Sequence, residues 1–423
     1  MKFLFSFFLL GVALISSGQD KYLLIPDKVF DGEVMHNGWV VLIEGNRIIK
    51  VGQRSTLSDL EGVTEIKMEG HTLIPGLIEG HAHILLYPYN QTTWNDQVLK
   101  ESDAYRVAKA TIHAKNTLMA GYTTLRDLGS EGAEYADVGI KKAINDGIIP
   151  GPRMLVAGPA IVATGSYGPK GFDPAHAMPL GAQEADGSEL FKVVREQIGK
   201  GADFVKVYAD YRWGIKEETM PTFTLSELQL IVDIATSSGR PVVAHASSPE
   251  AIRRAVEAGV ETIEHGNYAT MESFLLMKKK NVSYCPTLAA SESIAQYKGW
   301  KKGEDPMPEG IIEKKKAFSN ALKSGVSICA GGDVGVFEHG NNVLELELMV
   351  EYGMTDLEVL KSATSGNARI FHLNTELGHI KEGFLADIVA VKGDPTKGIS
   401  VLRHVSWVMK DGIVYKNELG RKE

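Results

Sequence analysis

Cysteine is scarce: the 423 residues hold two, Cys285 and Cys329, both in apolar, strand-like stretches. That excludes a fold stapled by a disulfide framework, and a chain this long buries enough core to do without one. Buried free thiols are expected rather than a bridge. Dense basic blocks are lacking too. With 45 Lys+Arg against 53 Asp+Glu and a formal net charge of -8, the sequence offers no nucleic-acid surface. The short run Lys314-Lys315-Lys316 reads as a solvated helix face. After the first residues no stretch is apolar enough to span a bilayer, and no low-complexity tract or short repeat interrupts the chain.

The start of the chain has a different character. Lys2 precedes an apolar run from Phe3 to Ile15, followed by Ser16, Ser17 and Gly18. Residues 1–18 therefore read as a secretory signal peptide, an uncleaved anchor being the alternative. Cleavage is expected near Gly18-Gln19, with no lipid attachment because no cysteine lies there. The mature chain is expected to be exported, periplasmic or secreted, with no stable membrane anchor.

Short strand patterns around Tyr22–Pro26, Gly38–Ile43 and Arg47–Val51 are separated by the turn pairs Asp31-Gly32 and Gly45-Asn46. Ala386–Val391, Val405–Lys410 and Ile413–Tyr415 look the same at the far end. Neither segment buries a core alone, so residues 19–74 plus 376–423 are expected to form one small composite β-sandwich. Between them, residues 75–375 alternate strand and helix patterns. Strands are predicted to end at His83, Asp127, Ala157, Tyr208, His245, His265, Cys285 and Ala330. Eight such units predict an α/β fold, a (β/α)8 TIM barrel. The segment from Gly165 to Gly187 reads as a long loop after the third strand, on the face where such barrels place active sites.

Along Pro75-Gly76-Leu77-Ile78-Glu79-Gly80-His81-Ala82-His83 the period of a strand aims both histidines at one point. Such a pair suits a divalent metal such as zinc. Lys206, His245 and His265 fall at later strand ends, and Asp333 lies just beyond the eighth. Read alone, Lys206 fits a snorkelling amine, His265 a turn cap and Asp333 a turn former. Six such residues at one rim instead point to a site. Lys206 shares a face with Phe204 and Tyr208, so its amine points inward. Beside two divalent ions a cationic amine is unfavourable. Capture of carbon dioxide would turn it into a carbamate, an anion able to bridge both metals.

The Pro75–His83 run, with Lys206, His245, His265 and Asp333, resembles the amidohydrolase superfamily in its two-metal form. The resemblance covers nearly the whole mature chain, including the closing Gly378-His379-Ile380-Lys381-Glu382-Gly383-Phe384-Leu385-Ala386-Asp387. The stretches Val242–Ala246 and Glu250–Gly266 look like the imidazolonepropionase-like, prolidase-like peptidase branch. Ile161–Gly171 and Lys206–Gly214 look most like members that also cleave the phenylalanine amide of ochratoxin. By position, the resemblance implies that His81, His83 and Asp333 hold one metal, His245 and His265 the other, and carboxylated Lys206 bridges them. It also implies two zinc ions sharing a hydroxide, with Asp333 moving the proton. The chain departs from the pattern in the loop after strand three, where several relatives carry a histidine and this one has Thr164-Gly165-Ser166-Tyr167-Gly168. Ser166 or Tyr167 is expected to donate to the scissile carbonyl there.

Tyr208 and Arg212 follow the bridging lysine, and Arg212 suits bidentate capture of a terminal carboxylate, unless it is a plain surface residue. His339 is expected to line the pocket or sit in a solvated loop. The expected partner is a dipeptide or other small-molecule substrate, with no nucleic acid and with a homo-oligomer left open. Release of a C-terminal amino acid from dipeptides, N-acyl amino acids or ochratoxin-type amides is the primary reading. A cyclic-amide hydrolase, a lactonase and a non-catalytic metal- or ligand-binding barrel are the alternatives.

Overall fold

The computed structural model describes residues 21–57, 60–173 and 175–420. The proposed signal peptide lies outside the described residues. Among them, no helix is long and apolar enough to cross a membrane.

Both termini contribute to one sheet of eight strands. Its organising element is Thr64–Pro75, which pairs in parallel with Lys21–Phe30 and antiparallel with Ile388–Lys392. Strands from both ends of the chain thus pair in a single continuous ladder. Strand period two separates its faces. Ile388 and Ala390 pack into the sheet's own core with Leu24, Val41 and Trp407, whereas Val389 and Val391 join the main core with Leu118 and Tyr122. The strand Thr64–Pro75 is followed, across Gly76, by the first parallel strand, so the sheet and the main body share a continuous backbone.

The parallel strands are β1 (Leu77–Ala82), β2 (Tyr122–Asp127), β3 (Arg153–Val156), β4 (Val205–Tyr208), β5 (Val242–Ala246), β6 (Thr262–His265) and β7 (Ser283–Cys285). The first three form one sheet. The rest, preceded by the short pairing segments Ile161–Val162 and Gln183–Glu184, form another. Their residues are almost all buried, as expected of strands covered on both faces. Helices Asp103–Met119, Glu189–Gly199, Leu225–Thr236, Pro249–Ala258, Met271–Lys280 and Glu309–Ser324 alternate with these strands along the chain. Ser102 caps the first of these through Tyr105 N–H. Thr224 caps the third, in a reciprocal capping box with Glu227.

Two expectations need correction. The predicted eighth strand is an irregular segment that makes isolated bridges, Tyr284 with Ile328 and Ala82 with Val334. It still hydrogen-bonds both neighbours: Cys329 N–H donates to Tyr284 O at 2.9 Å and Gly80 N–H to Ala330 O at 2.9 Å. Gly331 explains the tight seam, since a Cβ there would meet the His81 backbone nitrogen at 2.7 Å. Second, Cys285 and Cys329 form a disulfide rather than two free thiols. Adjacency of β7 to the irregular segment places their Cα atoms 4.7 Å apart, within bonding range.

Candidate metal centre and active site

The C-terminal ends of β1, β4, β5 and β6 and the segment after Ala330 meet at a cavity of about 240 Å³. His83, Tyr89, Glu131, Tyr167, Tyr208 and Tyr211 line one part of it, and His245, His265 and Asp333 another. His81 lies fully buried beside it.

The imidazoles are oriented from behind. His81 Nδ1–H donates to Glu264 Oε2 at 2.7 Å, and His83 Nδ1–H to Gly129 O at 2.9 Å. Each ring therefore turns Nε2 inward, to 3.6 Å and 3.4 Å from Asp333 Oδ1. His265 Nδ1 sits 2.8 Å from Thr287 Oγ1. Its backbone has a left-handed φ of 69°, and its carbonyl accepts from Lys314 Nζ at 2.7 Å and Tyr284 OH at 2.9 Å. Lys314 is thus buried against the site, not on a solvated helix face as expected. The His245 ring lies 4.5 Å from that of His265 and stacks on Tyr208 at 4.6 Å. Lys206 is buried in the same interior, its Nζ 5.4 Å from the centre of the Tyr208 ring.

Ligand atoms of His81, His265 and Asp333 all lie within 4.8 Å of one another. His81 Nε2 and Asp333 Oδ1 are buried without a hydrogen-bond partner. An imidazole nitrogen and a carboxylate oxygen turned toward each other and left unsatisfied are donor atoms suited to a cation. Burial holds His81 and His265 well below the usual imidazole range and His245 down to about 3, so all three are neutral, the form that ligates metal. Burial also lowers Lys206 to about 8 and raises Asp333 to about 6, the latter against the pull of His83 and Lys206.

Behind the ligands lies a buried network absent from the sequence reading. Arg126 Nη2 donates to Glu264 Oε1 at 2.7 Å, and Arg126 Nε to Gly80 O at 2.7 Å. Glu79 accepts from Gly332 N–H at 2.9 Å, from His81 N–H at 3.1 Å and from Asn342 Nδ2 at 2.9 Å, tying β1 to the loop that carries Asp333. Burial raises Glu79 to about 7.

Of the residues assigned to substrate, Tyr208 and Tyr167 line the cavity. The others stand elsewhere. Ser166 is buried and spends its hydroxyl proton on Ala163 O at 2.7 Å. Tyr167 spends its own on Glu131 Oε2 at 2.8 Å, so neither hydroxyl is free to donate to a carbonyl. The Arg212 side chain is exposed outside the lining and donates to Tyr211 OH at 3.4 Å. His339 is buried off the cavity, bonded to Leu86 O at 3.0 Å and stacked on His113. Loop side chains such as these have no period to reveal their direction, unlike strand residues.

Residues 72–416 match the Amidohydrolase family. The chain belongs to the amidohydrolase family. It is 32% identical to the ochratoxinase of Aspergillus niger over 434 aligned positions, covering 93% of this chain and 85% of that one. Among solved structures, a Xaa-Pro dipeptidase with methionine bound in its active site superposes with a TM-score of 0.82 at 31% identity, covering 94% of this chain and all of the other. The A. niger ochratoxinase structure superposes at 0.80 with 28% identity, covering 95% and 96%. This amidohydrolase therefore sits with the peptidase-like branch, whose fold is the TIM barrel, and is a hydrolase of amides.

Proposed function

We propose that this amidohydrolase is an exported enzyme that releases the C-terminal amino acid from dipeptides, N-acyl amino acids or ochratoxin-type amides. We read its parallel sheets as one closed (β/α)8 barrel and its terminal sheet as a folded sandwich. The observation that carries the reading is the unsatisfied His81 Nε2 facing Asp333 Oδ1 beside a tyrosine-lined cavity. The likeness to an ochratoxinase and a Xaa-Pro dipeptidase supports the substrate class, and a disulfide suits an oxidising compartment.

His81, His83, His245, His265, Asp333 and a carboxylated Lys206 would hold a pair of divalent ions, zinc first. When bound, such a pair acidifies water to a pKa of about 7 and polarises a carbonyl. The chain's own contribution is to orient and to move a proton. Glu264, Gly129 and Thr287 fix the faces that His81, His83 and His265 present. The Asp333 carboxylate takes the water's proton and passes it to the leaving amine. Burial keeps a share of Lys206 as free amine at neutral pH. That amine attacks carbon dioxide, forming an N–C bond and releasing one proton, to give the carbamate.

Metal-stripped, decarboxylated protein reloaded with zinc is expected to regain activity only when bicarbonate is supplied; full recovery in its absence would remove the carbamate. Substrate class is tested by mass spectrometry on zinc-reconstituted protein offered a library of dipeptides, N-acyl amino acids and ochratoxin-type amides. Release of the C-terminal amino acid is the expected result. Turnover confined to lactones or cyclic amides would replace the proposed substrate class.

A further inference from the structure

We infer that Glu131 anchors a free α-ammonium group, so that the enzyme favours dipeptides with an unmodified N-terminus over N-acylated amino acids. The inference rests on the substrate class proposed above and narrows it.

Glu131 lies in the loop Gly129-Ser130-Glu131-Gly132 after β2 and has a left-handed φ of 48°, uncommon for a residue with a side chain. The loop is held there. Buried Arg106 donates from Nη1 to Glu131 O at 2.8 Å, from Nη2 to Ser130 O at 3.1 Å and from Nε to Leu85 O at 3.2 Å. A guanidinium spent on three backbone carbonyls fixes the course of the chain, and it sends the Glu131 side chain into the cavity wall.

The carboxylate is surrounded by neutral donors. Tyr167 OH and Trp94 Nε1 donate to Oε2 at 2.8 and 2.9 Å, and Tyr208 OH donates to Oε1 at 3.2 Å. Among the described residues no lysine or arginine forms an ion pair with the Glu131 carboxylate, Arg106 reaching only the backbone carbonyl. The basic side chain within 4.0 Å of the carboxylate is His83, whose Nδ1–H is spent on Gly129. Arg106 and Lys206 act on the carboxylate only from beyond ion-pair distance, and a buried anion without a directly paired cation gains from a ligand that supplies the charge.

Proton direction then decides what the wall can bind. A carboxylate only accepts, so both tyrosines point their hydroxyl protons at Glu131 and turn lone pairs toward the cavity. The rings of Tyr167, Tyr208 and Tyr211 stand 4.6 to 6.1 Å apart, adding π faces to the same wall. Phenol oxygens, a carboxylate and π faces suit a compact cation with several N–H donors. They suit neither a second carboxylate nor an acyl carbonyl.

The position fits as well. One imidazole separates Glu131 from the reaction centre, His83 lying 4.0 Å from Glu131 at Nδ1 and 3.4 Å from Asp333 at Nε2. In a dipeptide the α-nitrogen is two bonds from the scissile carbonyl carbon, so a carbonyl held near Asp333 sends the ammonium toward that wall.

The test compares a dipeptide with its N-acetylated counterpart, sharing the same C-terminal residue, on the zinc-loaded enzyme and on Glu131→Gln. The expected result is a wild-type preference for the free amine of at least about tenfold in kcat/KM, lost in Glu131→Gln through a raised KM for the dipeptide alone. Tyr208→Phe, which removes a donor without touching the loop, should shift the ratio in the same direction if Glu131→Gln does not fold. A wild-type preference for the acetylated substrate, or a ratio unchanged by substitution, overturns the inference and leaves amide hydrolysis standing. Should neither compound be cleaved, the proposed substrate class fails, and calorimetry with the dipeptide decides the role of Glu131. Binding weakened about tenfold by Glu131→Gln supports the anchor, and equal or absent binding refutes it.

Discussion

Asp333→Asn is expected to keep the fold and most of the metal while losing turnover by a factor on the order of 10²–10⁴, the range of a positioned acid–base group. The backbone sets the geometry independently of the side-chain charge. Asp333 N–H donates to His81 O at 2.8 Å, and the residue holds a left-handed φ of 65°, which asparagine tolerates. Asparagine retains one oxygen near His81 and His83 but cannot accept a proton and hand it on. Burial raises the carboxyl to about 6, so it exchanges a proton near neutral pH more readily than an ordinary aspartate. The check is kcat measured beside metal content by atomic absorption, with Asp333→Ala as the comparison that removes the oxygen altogether. Near-normal turnover of metal-loaded Asp333→Asn would take proton transfer away from this residue. A parallel fall of metal and activity would make it a ligand alone.

What the sequence revealed tracks periodicity. His81, His83, Lys206, His245 and His265 sit on or at the end of strands, where alternation tells inside from outside, and the structure places them on the cavity or buried beside it. Lys314 had the same kind of signal. Ile311, Lys314, Ala317, Phe318 and Ala321 follow helical spacing, and all are buried, so the apolar stripe runs through the middle of what looks like a polar lysine run. The disulfide was legible only to a reader who asked which predicted strands are neighbours, since a separation of 44 residues carries no signal of its own. Glu131 follows a strand's C-terminal end, the rule that found the other site residues, but a loop glutamate between glycines reads as a turn. Its role depends on Arg106, Tyr167 and Tyr208, which come from three distant parts of the chain. Arg212 shows the opposite error: the right residue type at the right rim, with a side chain that leaves the cavity.

Arg126→Met is expected to cost about 3–5 kcal/mol of stability, the penalty for leaving a buried charge without its partner. Arg126 and Glu264 are both almost completely buried, and the pair joins β2 to β6 across the interior. The guanidinium also grips Gly80 O and lies 4.2 Å from the centre of the Phe371 ring, so methionine restores some packing but none of the charge. Left behind, Glu264 keeps, among the described residues, only Thr262 OH and His81 Nδ1–H as donors. The loss should therefore reach the metal centre. With Arg126 gone, His81 is drawn toward protonation to satisfy the orphaned carboxylate, and a protonated imidazole cannot ligate. Zinc affinity is expected to fall about 10–100-fold, the usual effect of removing a group that orients a ligand. Denaturant midpoints of the metal-free protein give the stability term, and competition with a chelator gives the affinity. Adding Glu264→Gln to Arg126→Met should recover part of the stability, because the buried charge disappears, but not the affinity, because an amide orients His81 less firmly than a carboxylate. If the double variant is no more stable than Arg126→Met, the cost lies in lost packing against Phe371 and the backbone contact to Gly80, and the Arg126–Glu264 ion pair contributes little to holding His81.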